Sequence, residues 1–434
     1  MSESSQKPYR IGVAGLGTVG AGVIKLLQDN QELVARHAGR PIEISGVTAS
    51  NKDKDRGVDL SAYQWMDSLD DMINSPEVDA VIELIGGSDG MVKDMVEGAL
   101  KKGKDVVTAN KALLAHHGFE LSKLAEENKA SLAYEAAVAG GIPIIKALRE
   151  GLSANNINSL YGILNGTCNY ILSEMRETGR DFDDVLKEAQ EKGYAEADPS
   201  FDIDGIDAAH KLALLGALAF GVKPNFDELE INGIRDVESR DIKHADELGY
   251  RIKLIGMARR AGENFVQVME PCLVPINSAL GSVEGVFNAV MTQGDFVDKT
   301  MMEGRGAGEG PTASSVVADI IDLARGNNLP AFGVASNELK QATWQNADSL
   351  SYKAYIRLKV EDHSGVLADI TACLKESSVS ADSFLQHPRK EDGEATVVIL
   401  THEEPLKDIK AAVEKLGNLP CVLDKPMLMR VEEV

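Results

Sequence analysis

Cysteine is scarce: Cys168, Cys272, Cys373 and Cys421 are the whole supply of four. No two of them stand at CxxC or metal-ligand spacing, and four scattered thiols do not make a disulfide framework. The usage fits a reducing cytoplasm. Long apolar runs are also missing. No stretch approaches the ~18 residues of a membrane-spanning helix. The segment Met1 to Lys7 is polar, without the apolar centre of a secretion signal. Basic charge is in deficit, with Lys+Arg at 45 against Asp+Glu at 68 and a formal net charge of -23. A balance of that sign argues against nucleic acid or an acidic membrane as partner. An anionic cofactor is not excluded, because its phosphates feel the local site. What is present suits buried cores: 44% of the 434 residues are hydrophobic, and that length suggests about three domains.

The opening stretch alternates apolar strands with helical patterns. Strands are expected at Tyr9–Ala14, Ile42–Thr48, Asp79–Leu84, Asp105–Thr108 and Ser131–Tyr134, with a helix over Thr18–Asp29. Repeated strand–helix–strand units of this kind predict a parallel sheet covered on both faces, over residues 1–141. Residues 142–335 read as an α+β domain for substrate and dimerisation. Its expected helices are Tyr170–Thr178, Phe182–Lys192 and Ile206–Phe220, and its strands Arg251–Met257 and Phe265–Met269. A glycine-dense loop, Gly304–Gly310, precedes a helix that begins at Pro311, ends near Arg325 and is placed to pack back on the first sheet. Ser336–Ser351 is polar and reads as a linker. Residues 352–434 repeat the order strand, helix, strand, strand, helix, strand, a ferredoxin-like βαββαβ unit.

The first turn reads Gly15-Leu-Gly17-Thr18-Val19-Gly20. It matches GxGxxG between a strand and a helix, the context in which that spacing signifies a dinucleotide. Gly15 permits the tight turn, Gly17 lets a pyrophosphate approach the backbone, and Gly20 lets helix and strand close together. A carboxylate at the tip of the second strand would hold the ribose of NAD(H). The tip here is Ala49-Ser50-Asn51, followed by Lys52, Lys54 and Arg56. That favours NADP(H), although Asp53 and Asp55 are interleaved.

Three further segments carry chemistry. Thr108-Ala-Asn-Lys111 ends a predicted parallel strand, where open α/β sheets bind ligands. Lys111 is therefore within reach of cofactor or substrate, and a surface lysine at a helix start would look the same. Glu135, followed by the small residues up to Pro143, offers a carboxylate and free carbonyls suited to a hard cation. An ordinary strand-to-helix turn would use the same residues. The densest segment is Gly193 to Lys211, GYAEADPSFDIDGIDAAHK. Asp207 and Lys211, four apart, share a helical face, and Asp204 is placed to cap that helix. A lysine kept protonated by a carboxylate is a suitable proton donor to an alkoxide. An N-capped helix with one ion pair would read alike. His116, His117 and His210 form no ligand pattern.

Taken together, GLGTVG, TANK at Thr108–Lys111, NGTCNYIL at Asn165–Leu172, the Gly193–Lys211 segment and GRGAGEGPTASSVVADI at Gly304–Ile320 resemble homoserine dehydrogenase. The final unit, with Asp362-His-Ser-Gly-Val-Leu-Ala-Asp369, resembles an ACT regulatory domain. The resemblance spans nearly the whole chain. It implies reversible reduction of L-aspartate 4-semialdehyde to L-homoserine by NAD(P)H, on the route to threonine and methionine. It implies Lys211 as the general acid, with Lys111 beside nicotinamide and substrate. Glu196 and Asp207 would hold the substrate, supported by Asp202. Gly15, Gly17, Thr18, Val19, Gly20, Lys111, Gly193 and Gly308 would meet the cofactor. Glu135 would bind Na+ together with Val138, Gly140 and Ile142, three of the four through carbonyls. The ACT unit implies L-threonine as effector and a homodimer or homotetramer. One departure is Ala197, which stands where many relatives have proline.

Two rivals use the same residues. Another NAD(P)-dependent amino-acid or semialdehyde dehydrogenase would share the fold. An aldehyde-oxidising enzyme would need a thiol nucleophile, and only Cys168 lies near the constellation, without a histidine partner. A non-catalytic nucleotide and amino-acid sensor would have no use for a proton donor at Lys211.

Overall fold

The computed structural model describes residues 7–386 and 393–434. The polar start Met1–Gln6, read above as lacking a secretion signal, lies outside the described residues. No helix among the described residues is long and apolar enough to cross a membrane.

Six short strands form the first sheet: β1 (Tyr9–Ala14), β2 (Ile42–Thr48), β3 (Gln64–Trp65), β4 (Ala80–Glu83), β5 (Asp105–Thr108) and β6 (Leu132–Ala133). All pair in parallel, in the order β3-β2-β1-β4-β5-β6. This is the doubly wound arrangement, and the connection reverses direction between β1 and β4, where such sheets hold their ligands. The apolar runs are continuous because both faces are covered. On one face Ile11 and Val13 pack with Val23 and Ile24 of the Thr18–Asp29 helix. The same core takes Ala313, Val316 and Ile320 from the helix Glu309–Arg325, nearly three hundred positions away in sequence. On the other face Val81 and Val106 pack with Leu100, Leu113 and Leu114. Each such side chain, removed from water, contributes roughly 1.5–3 kcal/mol before conformational entropy is counted.

The second sheet is mixed. Its strands are β7 (Ile157–Ile163), β8 (Glu230–Ile231), β9 (Tyr250–Ala261), β10 (Asn264–Pro275), β11 (Phe287–Gly294), β12 (Asp298–Arg305), β13 (Ser351–Glu361), β14 (Ala381–Gln386), β15 (Glu394–Thr401), β16 (Glu404–Pro405) and β17 (Met427–Val431). They run β12-β11-β7-β9-β10-β17-β13-β15-β14, with β8 beside β10 and β16 beside β13. Three of these strands, β7, β11 and β12, carry too little alternation to be read from sequence. β10 also runs past the Met269 expected as its end, through Pro271. That proline lies opposite Leu254 of β9. On its other flank it falls between the residues paired to β8 (Val268, Met269) and those paired to β17 (Cys272, Leu273). Its missing N–H therefore interrupts no ladder on that flank.

The last unit has the expected βαββαβ form, with helices Val366–Glu376 and Leu406–Gly417 over one face. It is not a separate body on a flexible tether. β17 lies parallel to β10, so the two sheets are one. The segment read as a linker is strapped down: Ser336 donates from N and Oγ to Glu126, and Lys340 and Trp344 bridge to Val222 and Phe265. The seam is pinned by a buried pair. Arg357 of β13 donates from Nε to Asp241 Oδ1 (2.6 Å), and Tyr355 Oη donates to the same oxygen (2.9 Å).

Replacing Arg357 by Met leaves Asp241 buried without its counter-charge, which costs about 3–5 kcal/mol. Urea unfolding of Arg357→Met should show that loss, and Asp241→Asn added to it should restore part of it. A loss below about 1 kcal/mol would mean the pair does not pin the seam.

Candidate active site

The glycine turn follows β1 at the switch point. Gly15 has φ 96°, and a Cβ there would lie 2.5 Å from Leu84 O, so only glycine fits. At Gly20 a Cβ would lie 2.0 Å from Gly15 O, whereas at Gly17 it would meet open space. No side chain caps the Thr18–Asp29 helix. Its first N–H groups thus remain for an anion, at the positive end of the helix dipole. A cleft of about 760 Å³ opens there, bounded by Gly15, Gly17, Ser50, Asn51, Lys54 and Ile85 among others. Shape, free donors and volume fit a dinucleotide. Arg56 also lines the cleft, with its guanidinium bonded to backbone. Its guanidinium donates to the carbonyls of Leu16, Lys54 and Asn51, clamping the tip of β2 over the turn.

Lys111 begins the helix Lys111–Glu127 directly beyond β5. Lys211 lies buried in the Ile206–Phe220 helix. Both ammonium groups converge on one carboxylate. Lys211 Nζ is 2.7 Å from Asp207 Oδ2, and Lys111 Nζ is 3.2 Å from Asp207 Oδ1. Lys211 also donates to Leu164 O at 2.7 Å, which leaves one of its three N–H bonds uncommitted. Burial disfavours charge on Asp207, but Lys211 and Lys111 outweigh it and hold the carboxyl well below the usual carboxylate range. Asn165 completes the cluster. Its Nδ2 donates to Asp207 Oδ2 and Asp202 Oδ1, both at 2.8 Å, while its Oδ1 caps the Gly166–Thr178 helix at Cys168 N. Asp202 is half-buried, and that desolvation raises its pKa.

Other expected residues fall outside this cluster. The Glu196 carboxylate is exposed and makes no hydrogen bond or ion pair with the described residues; only its carbonyl is engaged, by Gln190. Asp204 does not cap its helix. Gly205, at φ 84°, takes the N-cap position, and Asp204 pairs with Arg235. Gly193 is an exposed left-handed residue. Gly308 caps the Glu309–Arg325 helix at φ 112°. A Cβ on Gly22 would lie 2.6 Å from Glu309 Cγ, so this end of the glycine-dense loop abuts the nucleotide helix. Cys168 is inert: burial pushes its thiol far up, and Sγ donates to Asp202 O. His210 stacks on Phe226 at 4.2 Å, and burial, with His116 nearby, pushes it down to about 4. It is a packing residue.

The candidate cation turn is strained and buried. Ala139 has φ 55°, a costly conformation for a residue with a side chain. The Glu135 oxygens accept from Ile145 N and Lys146 N, both at 2.8 Å. Gly140 O accepts from Ser315 Oγ, and Ile142 O from Ile144 N. Val138 O, fully buried, accepts from no group among the described residues. One carboxylate and three carbonyls, with that orphan among them, fit a hard monovalent cation. Burial, with Asp319 adjacent, pushes Glu135 up to about 7, and burial pushes Asp319 up to about 6. Between pH 4.5 and about 7 the folded chain therefore keeps protons the unfolded chain has lost, and the turn's contribution to stability falls as pH rises.

Two buried polar residues of this region escaped the sequence reading. Asn165 was visible only as part of a motif; an Asn before a helix signals a cap, not a bridge between two aspartates. Glu83 ends an apolar strand and is wholly buried. Such a carboxylate at a switch point was the available signal.

A doubly wound dinucleotide fold, an uncapped glycine-turn helix, and two lysines on one carboxylate beyond a neighbouring strand define a nicotinamide-dependent dehydrogenase. The comparisons make it particular. Residues 15–135 match the model "Homoserine dehydrogenase, NAD binding domain", residues 143–321 "Homoserine dehydrogenase" and residues 354–418 "ACT domain". The homoserine dehydrogenase of Neisseria gonorrhoeae is 46% identical, covering 98% of each chain. The crystal structure of a homoserine dehydrogenase from Thiobacillus denitrificans superposes with a TM-score of 0.93 at 43% identity, covering 98% of this chain and 99% of that one. A hyperthermophilic archaeal homoserine dehydrogenase in complex with NADPH matches 73% of this chain and 97% of its own, with a TM-score of 0.61 and 27% identity. The chain belongs to the homoserine dehydrogenase family.

Proposed function

We propose that this chain interconverts L-aspartate 4-semialdehyde and L-homoserine with NADP(H) as the favoured cofactor, serving threonine and methionine synthesis in the cytoplasm. The observation that carries the reading is the sharing of Asp207 by Lys211 and Lys111. A bound nicotinamide supplies the hydride to the aldehyde carbon. Lys211 donates its uncommitted proton to the oxygen as negative charge develops there, an electrostatic and acid contribution at one atom. Two ammonium groups on one carboxylate leave the trio one positive charge, which suits an oxyanion. Once Lys211 has given its proton, Lys111 still neutralises Asp207, so no bare carboxylate remains beside the product. Glu196, unpartnered and exposed, is available to the substrate ammonium, and Asp202 supports that side.

Gly15, Gly17, Thr18, Val19 and Gly20 would cradle the pyrophosphate, with Gly193 and Gly308 as further contacts. Lys54 and Arg56, whose charge its carbonyl partners do not neutralise, both line the cleft and would meet a 2'-phosphate. The neighbour in complex with NADPH supports that choice over NAD(H). Na+ would be held by Glu135 and the carbonyls of Val138, Gly140 and Ile142. The ACT unit would carry L-threonine as effector, and the flanks of edge strands β12 and β14, unpaired among the described residues, leave room for a homodimer or homotetramer.

One assay series tests the chemistry. Native enzyme should reduce the semialdehyde with a higher kcat/KM for NADPH than for NADH and slow with added L-threonine. Lys211→Ala should lose about 10³-fold in kcat with nucleotide affinity within about threefold. Native turnover in that variant would remove Lys211 from the mechanism. The cation is tested separately by thermal unfolding. Exchanging KCl for NaCl at constant ionic strength should raise Tm by about 2–4 °C at pH 8, where Glu135 is charged, and by less at pH 5.5. Equal shifts at both pH values would contradict the site.

A further inference from the structure

The mechanism leaves one buried charged group without a task. Glu83 closes β4 with no solvent exposure and no ion pair among the described residues. One of its oxygens, Oε1, accepts from Ile85 N (2.7 Å) and Gly86 N (3.0 Å). The other, Oε2, accepts from Thr108 Oγ1 at 2.5 Å. The first pair shapes the loop that walls the nucleotide cleft, to which Ile85 contributes. The second begins a chain of bonds along the sheet's carboxyl edge. Thr108 Oγ1 accepts from Asn110 N (2.9 Å), and Asn110 Nδ2 donates to Gly87 O (2.6 Å). Asn110 Oδ1 caps the next helix at Leu113 N (3.1 Å). The first residue of that helix is Lys111, whose Nζ meets Asp207.

A carboxylate buried this deeply is costly unless its lone pairs are filled, and here three donors fill them. Two of them, Ile85 N and Gly86 N, lie on the loop after β4 that walls the nucleotide cleft, and the third, Thr108 Oγ1, ends the strand that leads into Lys111. We propose that Glu83, acting through Thr108, is a positioning residue that couples the nucleotide-cleft loop to Lys111 and so fixes where Lys111 meets Asp207. The proposal rests on the reading of Lys111 given above and adds the residues that set its geometry. It has two arms. Loss of the Thr108 hydroxyl cuts only the arm toward Lys111 and leaves the bonds to Ile85 and Gly86. A Gln in place of Glu83 cannot serve both arms at full strength, because its single amide oxygen can accept either from Thr108 or from the Ile85 and Gly86 N–H groups, and the lost charge weakens the bonds that remain.

The test is a double-mutant cycle on kcat, run where circular dichroism shows every variant folded. Thr108→Val should lower kcat about tenfold with the KM for NADPH unchanged within about twofold. Thr108→Ser, which keeps the hydroxyl, should restore kcat to within about twofold of native. Glu83→Gln should lower kcat and raise the KM for NADPH together. In a Lys111→Ala background, Thr108→Val should change kcat by less than about twofold. An equal loss in both backgrounds would make Thr108 a general structural residue and overturn the proposal. Native turnover in Lys111→Ala would overturn it as well, together with the role given to Lys111. Native turnover in Lys211→Ala strikes the reaction scheme instead, so the two failures are distinguishable.

Discussion

Asp207 sits between two lysines that come from opposite halves of the molecule. Lys211 belongs to its own helix, one turn away, and that pairing is local. Lys111 arrives from the carboxyl edge of the nucleotide sheet, and the 3.2 Å contact exists only because the two halves are packed together. A buried carboxylate with one counter-charge would be a structural ion pair, and isolating it would be strongly destabilising. With two counter-charges the cluster keeps a surplus proton donor without stranding a bare charge when that proton leaves. Asn165 and the Leu164 carbonyl take further directions around the pair, and one Lys211 N–H is left uncommitted.

The rest of the fold is arranged to deliver those side chains. The switch between β1 and β4 opens the cleft, and the glycine turn lines one wall of it. The Glu309–Arg325 helix, from the far end of the catalytic region, closes on the same sheet, so neither half has a complete core alone. The ACT unit continues the second sheet through β10 and β17 and is pinned by Arg357 on Asp241. A ligand that altered the twist of that unit would act on β10 directly, through backbone pairing rather than through a tether.

Much of this was legible in the sequence, for definite reasons. Strands of the first sheet announced themselves because parallel strands covered on both faces are apolar runs. The glycine turn, Lys111 and the Asp207–Lys211 pair were legible because their geometry is local, set by a turn or by one helical repeat. What failed was non-local. β7 and β12 were not assigned, because Asn158, Ser159, Lys299 and Glu303 interrupt their patterns, and their pairing with other strands decides them. β10 was expected to end at Met269, two residues before Pro271, and sequence does not show which flank of that proline lacks a partner. Asp204 looked like a cap, yet Gly205 adopts the left-handed conformation and Arg235, from another loop, claims the carboxylate. Asn165 and Glu83 are polar groups whose meaning lies in partners 25 to 42 positions away.

The account stands on a proton donor at Lys211 held ready by Asp207. A structure of the complex with NADP+ and homoserine measures this most directly. The account predicts the homoserine hydroxyl oxygen within about 3 Å of Lys211 Nζ, on the side away from Asp207 and Leu164. A hydroxyl lying beyond hydrogen-bond reach of Lys211, with another side chain donating to it, would contradict it.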